Sequence, residues 1–250
     1  MNNIALLLSF DGTAYHGWQS QRNAVSVCDT LAKAIERTVG HPVKVHGCGR
    51  TDAGVHARSY VANFRSDTRI PASKLPFALN TRLPGDIAVR AAAEVSQSFH
   101  AIQSARAKEY TYCLYGGPHR QPLYQNRALH YPFPLKPEAV TMMRAFVGEH
   151  DFACVRSVGT DVKSTVRTLY ELEVTEQDGL TAVRMKANGF LYNMARALVG
   201  TLLYCNEGKV TDIPALLKSR ERTLAGPTVP PHGLYMTGVW YAGGDVFETV

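Results

Sequence analysis

No two of the five cysteines, at positions 28, 48, 113, 154 and 205 of this 250-residue chain, lie close together. An odd count without a CxxC pair argues against a disulfide framework and against a thiolate metal site, and it predicts reduced thiols in a cytoplasmic protein. The nine histidines show no HExxH or comparable ligand spacing, so no metal is expected. Long apolar runs are also missing. Ile4-Ala5-Leu6-Leu7-Leu8 is too short for a signal-peptide core and has no basic segment before it, so it reads as a first strand. No stretch approaches membrane-spanning length, and no membrane association is expected. Phosphate-binding fingerprints fail as well. Gly49 and Gly54 have the glycine spacing of a P-loop, but Val55 and His56 follow where Lys and Ser or Thr are needed. A dinucleotide fingerprint fails for want of a third glycine and a following amphipathic helix. No cofactor is expected.

What is present is ordinary in bulk: 45% apolar and 19% charged residues suit a soluble globular protein, with length enough for two compact domains or one large one. The net charge of +6 and a pI near 9.1 favour polyanionic partners, because neutralising phosphates releases condensed counterions.

Reactive polarity is concentrated in one stretch, Gly47-Cys48-Gly49-Arg50-Thr51-Asp52-Ala53-Gly54-Val55-His56-Ala57. Its three glycines permit positive φ and close approach by another molecule, so it reads as a tight loop between strands that presents Asp52. The plain alternative is an aspartate bonded to its own turn. Earlier in the chain, Phe10 to Gln21 is a polar loop whose aromatics, if exposed, could stack on bases; alternatively Trp18 plugs the core.

The rest of the chain reads as an α+β pattern. Ser26 as N-cap, apolar Val27, Leu31, Ile35 and Val39, and Gly40 as the stop predict a core-facing helix. A short helix around 73–80, a strand over 87–95 and a Tyr110/Tyr112/Leu114 alternating strand follow. The stretch 116–137, holding five of the thirteen prolines, reads as a surface excursion. A helix over 138–147 and a hairpin over 166–187, turning at Gln177-Asp178-Gly179, come next. The stretch 189–203 reads as an apolar helix with one charge, Arg196. A buried guanidinium there would demand a carboxylate partner, for which Asp52 is the best candidate.

The run Gly49-Arg50-Thr51-Asp52-Ala53-Gly54-Val55-His56 resembles the signature of the tRNA pseudouridine synthase A family. Further motifs support it: Phe10 to Gln21, Tyr110-Thr111-Tyr112, Asp151-Phe152-Ala153-Cys154-Val155, Phe190-Leu191-Tyr192-Asn193-Met194-Ala195-Arg196 and Pro231-His232-Gly233-Leu234. The resemblance implies isomerisation of uridine to pseudouridine at positions 38, 39 and 40 in the anticodon stem-loop of tRNA, by a homodimer. It implies Asp52 as nucleophile and Tyr110 as a ring that stacks on the target base and takes part in proton transfer. Arg196 is implied as partner of the nucleophile, and Arg50 as the side chain that fills the space left by the flipped base. Tyr15, Trp18, Gln19 and His56 are the further RNA-binding candidates. The implied fold is two α+β domains, 1–105 and 106–250, each an antiparallel sheet backed by helices in ferredoxin-like halves, with a positively charged cleft between them. The chain departs from the family pattern at Cys28, Ile102 and Val155. The competing readings are a non-catalytic module for structured RNA and, more weakly, a hydrolase using Asp52 with Glu109.

Overall fold

A computed structural model describes residues 1–159, 162–242, 244, 246 and 247. In chain order the strands and α-helices are β1 (Asn2–Phe10), α1 (Val27–Val39), β2 (His46–Gly47), β3 (His56–Ser66), α2 (Leu75–Asn80), β4 (Ile87–Val95), β5 (Ala105–Tyr115), β6 (Leu129–His130), α3 (Pro137–Met143), β7 (Gly148–Asp151), β8 (Val166–Gln177), β9 (Leu180–Ala187), α4 (Met194–Asn206), α5 (Ile213–Ser219) and β10 (Leu234–Tyr241). Among the described residues, ten strands and five helices, with short 3-10 turns between them, make an α+β fold. The chain divides into two compact units, Met1–Arg106 with Tyr235–Val250, and Ala107–Leu234.

In unit 1 the sheet order is β4-β1-β3-β10, with β2 also on β3. β1 is antiparallel to both its neighbours. The helix expected from Ser26 forms over α1: the Ser26 hydroxyl accepts the Asp29 N–H at 3.1 Å, and Gly40 ends the helix at φ 86°. Its buried residues, Val27, Leu31, Ala34 and Ile35, recur at three and four residues and so form one core-facing stripe.

In unit 2 the order is β5-β9-β8-β7, with β6 on β5. The β8–β9 hairpin turns through Asp178 (φ 53°) and Gly179 (φ 74°), the two left-handed residues that a two-residue turn of matching twist requires. α4 is buried on nearly every side, including Met194, Leu198, Val199 and Leu202.

Two expectations need correction. The sheets are not purely antiparallel, because β10 runs parallel to β3 through Tyr235↔His56 and Met236↔Ala57, and β6 runs parallel to β5. The second compact unit also does not run to the end of the chain. From Tyr235 onward the polypeptide returns to unit 1, where β10 takes up edge groups of β3 that would otherwise lack partners.

Candidate active site

Asp52 lies between β2 and β3 and is half-buried. Its loop is fixed by backbone contacts with the loop after β1. The Trp18 N–H donates to the Thr51 carbonyl at 3.2 Å, and the Gly54 N–H donates to the Tyr15 carbonyl at 3.2 Å, so one anchor sits on each side of Asp52. The Val55 N–H closes the turn on the Asp52 carbonyl at 3.2 Å. Such close approach depends on glycine. Gly17, at φ 82°, packs so tightly that an added Cβ would overlap the Thr51 carbonyl oxygen, and one at Gly12 would overlap that of Val55. Of the three glycines in the stretch 47–57 only Gly54 (φ 78°) has positive φ. Gly47 instead gives room to the Trp18 indole, and the Gly49 carbonyl accepts the Tyr60 hydroxyl.

Next to Asp52, the Thr51 hydroxyl is buried and has no hydrogen-bond partner among the described residues. Arg50 is exposed and makes no hydrogen bond or ion pair among them, and Gln19 is also exposed.

Tyr15, Trp18 and His56 are all buried, which for Trp18 is the core-plug alternative. Tyr15 is 6% exposed, and its hydroxyl donates to Asp86 Oδ1 at 2.6 Å. Burial first, and then the Asp86 carboxylate, raise the phenol's pKa. Trp18 is 4% exposed and stacks on Tyr60 with centroids 4.3 Å apart. His56 is 1% exposed. Its Nδ1 accepts the Gly12 N–H at 3.0 Å, with Asp11 Oδ1 3.1 Å away, and its ring stacks on Tyr235 at 4.7 Å. The idea of exposed rings in the 10–21 loop is therefore corrected. An indole or phenol gains more from burial with its polar tip satisfied than from lying in water, and these three build the seat of the Asp52 loop. Sequence reading also missed Gly12, Gly17 and Asp86, whose partners lie 34 residues or more away in the chain for the glycines (Gly17 to Thr51) and 71 for Asp86 (to Tyr15).

In unit 2, Tyr110 is 8% exposed on β5 and meets Phe190 edge-on at 5.0 Å. Arg196 is half-buried on α4. Its Nε–H donates to the Val229 carbonyl at 2.7 Å, and Nη1 donates to Asn193 Oδ1 at 2.9 Å. The next carbonyl, Pro230, accepts the Tyr112 hydroxyl at 2.7 Å. Burial raises the pKa of that phenol, while the Arg196 charge nearby acts to lower it. Consecutive carbonyls of one strap thus hold α4 and β5 together. The strap lies against α4 where Gly200 meets Gly226 and Pro227, and a Cβ at either glycine would overlap the opposing backbone. The Gly226 N–H donates to Thr201 Oγ1 at 3.1 Å, and Arg222 donates to the Gly226 carbonyl and to Thr228 Oγ1. These carbonyl and amide acceptors of Arg196 leave no mark in the sequence.

Among the described residues no cluster of three or more His, Cys, Asp or Glu could hold a metal ion. No helix there is long and apolar enough to cross a membrane.

A family model described as tRNA pseudouridine synthase matches residues 7–102 and 142–242. A "tRNA pseudouridine synthase A" of Thermoanaerobacter sp. (strain X514) is 43% identical over 244 residues, covering 96% of this chain and all of the relative. Its namesake from Caldicellulosiruptor bescii is 44% identical over 246 residues with the same coverage. A solved Cbf5-Nop10-Gar1 complex aligns at 12% identity and TM-score 0.41, over 93% of this chain and 48% of that one. On the matched motifs and the full-length identity to its relatives, the chain belongs to the tRNA pseudouridine synthase A family and is an isomerase.

Proposed function

We propose that this isomerase converts uridine to pseudouridine at positions 38, 39 and 40 of the tRNA anticodon stem-loop, with Asp52 as the nucleophile. The observation that carries the reading is the loop geometry. The one carboxylate of the signature stands half-buried between two backbone anchors, beside an exposed Arg50 that makes no hydrogen bond or ion pair among the described residues. A nucleophile held this rigidly loses little orientational freedom on meeting its substrate. The names of the full-length relatives support tRNA as that substrate.

The reaction breaks the bond from ribose C1′ to uracil N1, turns the base and joins C1′ to C5. C5 gives up its proton, and N1 ends with one. Reaching that bond requires the nucleotide to leave the stack, and Arg50 is the planar cation assigned to the space it leaves. Tyr110 stacks on the extruded uracil and relays the C5 proton. Arg196 keeps Asp52 ionised, a role suited to a guanidinium pre-oriented by the Val229 carbonyl and Asn193. Gln19 contacts RNA directly, whereas Tyr15, Trp18 and His56 act through the loop they support. The working protein is a cytoplasmic homodimer.

The test is incubation of the protein with uridine-labelled tRNA transcripts, followed by nucleoside analysis and mapping. Carbon-linked nucleoside at positions 38 to 40 is expected. RNA binding without any such product, or product confined to other positions, contradicts the proposal.

A further inference from the structure

We propose that Lys44, His46, Arg65 and His100 form a second contact surface on unit 1, taking the phosphodiester backbone of RNA, with His46 making the affinity pH-dependent. β2 is antiparallel to β3 with His46 opposite Asn63 and Gly47 opposite Ala62. Lys44 lies two residues before His46, and Arg65 lies two residues after Asn63 on β3. The His46 ring lies against His100 with centroids 4.5 Å apart. Lys44 and Arg65 are exposed, and both histidines are half-buried.

None of the four makes an ion pair among the described residues. Arg65 donates to the Gln97 carbonyl at 2.7 Å, and His100 Nδ1 accepts the Ile102 N–H at 3.3 Å, which leaves Nε2 as that ring's donor. Basic groups crowded together cost stability. The effect registers on His46, whose pKa is lowered by burial first, and then by the charges of His100, Lys44 and Arg65. No carboxylate contributes to that balance.

A phosphate would offset the repulsion among these charges. It supplies the missing counter-charge, and it favours the protonated imidazole, so binding takes up a proton and weakens as pH rises. Gly47 ends β2 and begins the Asp52 loop, so a strand held here continues into the proposed site. The inference rests on RNA being the substrate.

The test uses an unmodified tRNA transcript, with binding followed by fluorescence anisotropy at several salt concentrations and between pH 5.5 and 7.5. For Lys44→Gln with Arg65→Gln, the slope of log K against log salt should fall by about 1.5, the share of two phosphate contacts. For wild type, affinity should rise about tenfold from pH 7.5 to 5.5, which corresponds to one unit of linked pKa. His46→Gln should remove that rise. Matched melting curves establish that the variants fold. An unchanged salt slope, or a wild-type pH profile in His46→Gln, overturns the surface while wild-type isomerisation continues. A wild-type protein that neither binds nor isomerises tRNA overturns the functional reading along with it.

Discussion

The Asp52 loop of unit 1 and the Arg196 helix of unit 2 solve the same problem in opposite ways. The loop carries its polar side chain on irregular backbone, which holds its shape because a second loop lies against it closely enough to exclude any Cβ. The helix carries its guanidinium on regular backbone that needs no such help. What it needs is an acceptor, and adjacent carbonyls of a strap serve α4 and β5 in turn. Precision in unit 1 comes from glycine contacts between loops, and in unit 2 from hydrogen bonds laid over an apolar core. The two should respond differently to substitution.

The largest effect is expected at Gly17→Ala. The new methyl meets the Thr51 carbonyl, and the backbone is held at φ 82°. Overpacking and left-handed strain together cost on the order of 3 kcal/mol. Turnover should fall further than the loss of folded protein explains, as read by chemical denaturation beside single-turnover rates. Arg196→Ala comes next. It strips hydrogen bonds from the Val229 carbonyl and the Asn193 side chain for about 1 to 3 kcal/mol and removes nearly all activity. If a thermal melt and the turnover rate both match wild type, the strap has been misread. Tyr112→Phe leaves the Pro230 carbonyl without its donor but keeps the ring and the Val229 bond to Arg196, so about 1 kcal/mol of stability and a modest part of kcat should go. The smallest change runs the other way. Thr51→Val replaces an unpartnered buried hydroxyl with a methyl of similar shape, and stability should hold or rise by up to about 1 kcal/mol. A clear loss of stability would mean that the hydroxyl has a partner.

Much of this was legible in the sequence, for identifiable reasons. α1 announced itself through Ser26, a four-residue apolar spacing and Gly40, all local signals. The β8–β9 turn did the same through Asp178-Gly179. The Asp52 loop stood out because glycine and charge rarely crowd together without a backbone reason. The fate of Tyr15, Trp18 and His56 was not legible. An aromatic in a polar, glycine-bearing stretch reads alike whether it faces water or a remote ring, and Tyr60, Asp86 and Tyr235 decided it. The acceptors of Arg196 were hidden for a related reason, since a main-chain carbonyl is present at every residue and marks no position. The return of β10 to β3 escaped notice because an apolar strand looks the same in parallel and antiparallel pairing.

Asp52→Asn tests the central claim most directly, because it removes the charge while keeping the side chain's size and every backbone bond that shapes the loop. Purified variant and wild type would be compared for pseudouridine formed at positions 38 to 40 of a tRNA transcript, with RNA affinity measured in parallel. The account predicts undetectable product with affinity within about threefold of wild type, a difference of about 0.7 kcal/mol. Product formed at a rate near that of wild type would contradict it.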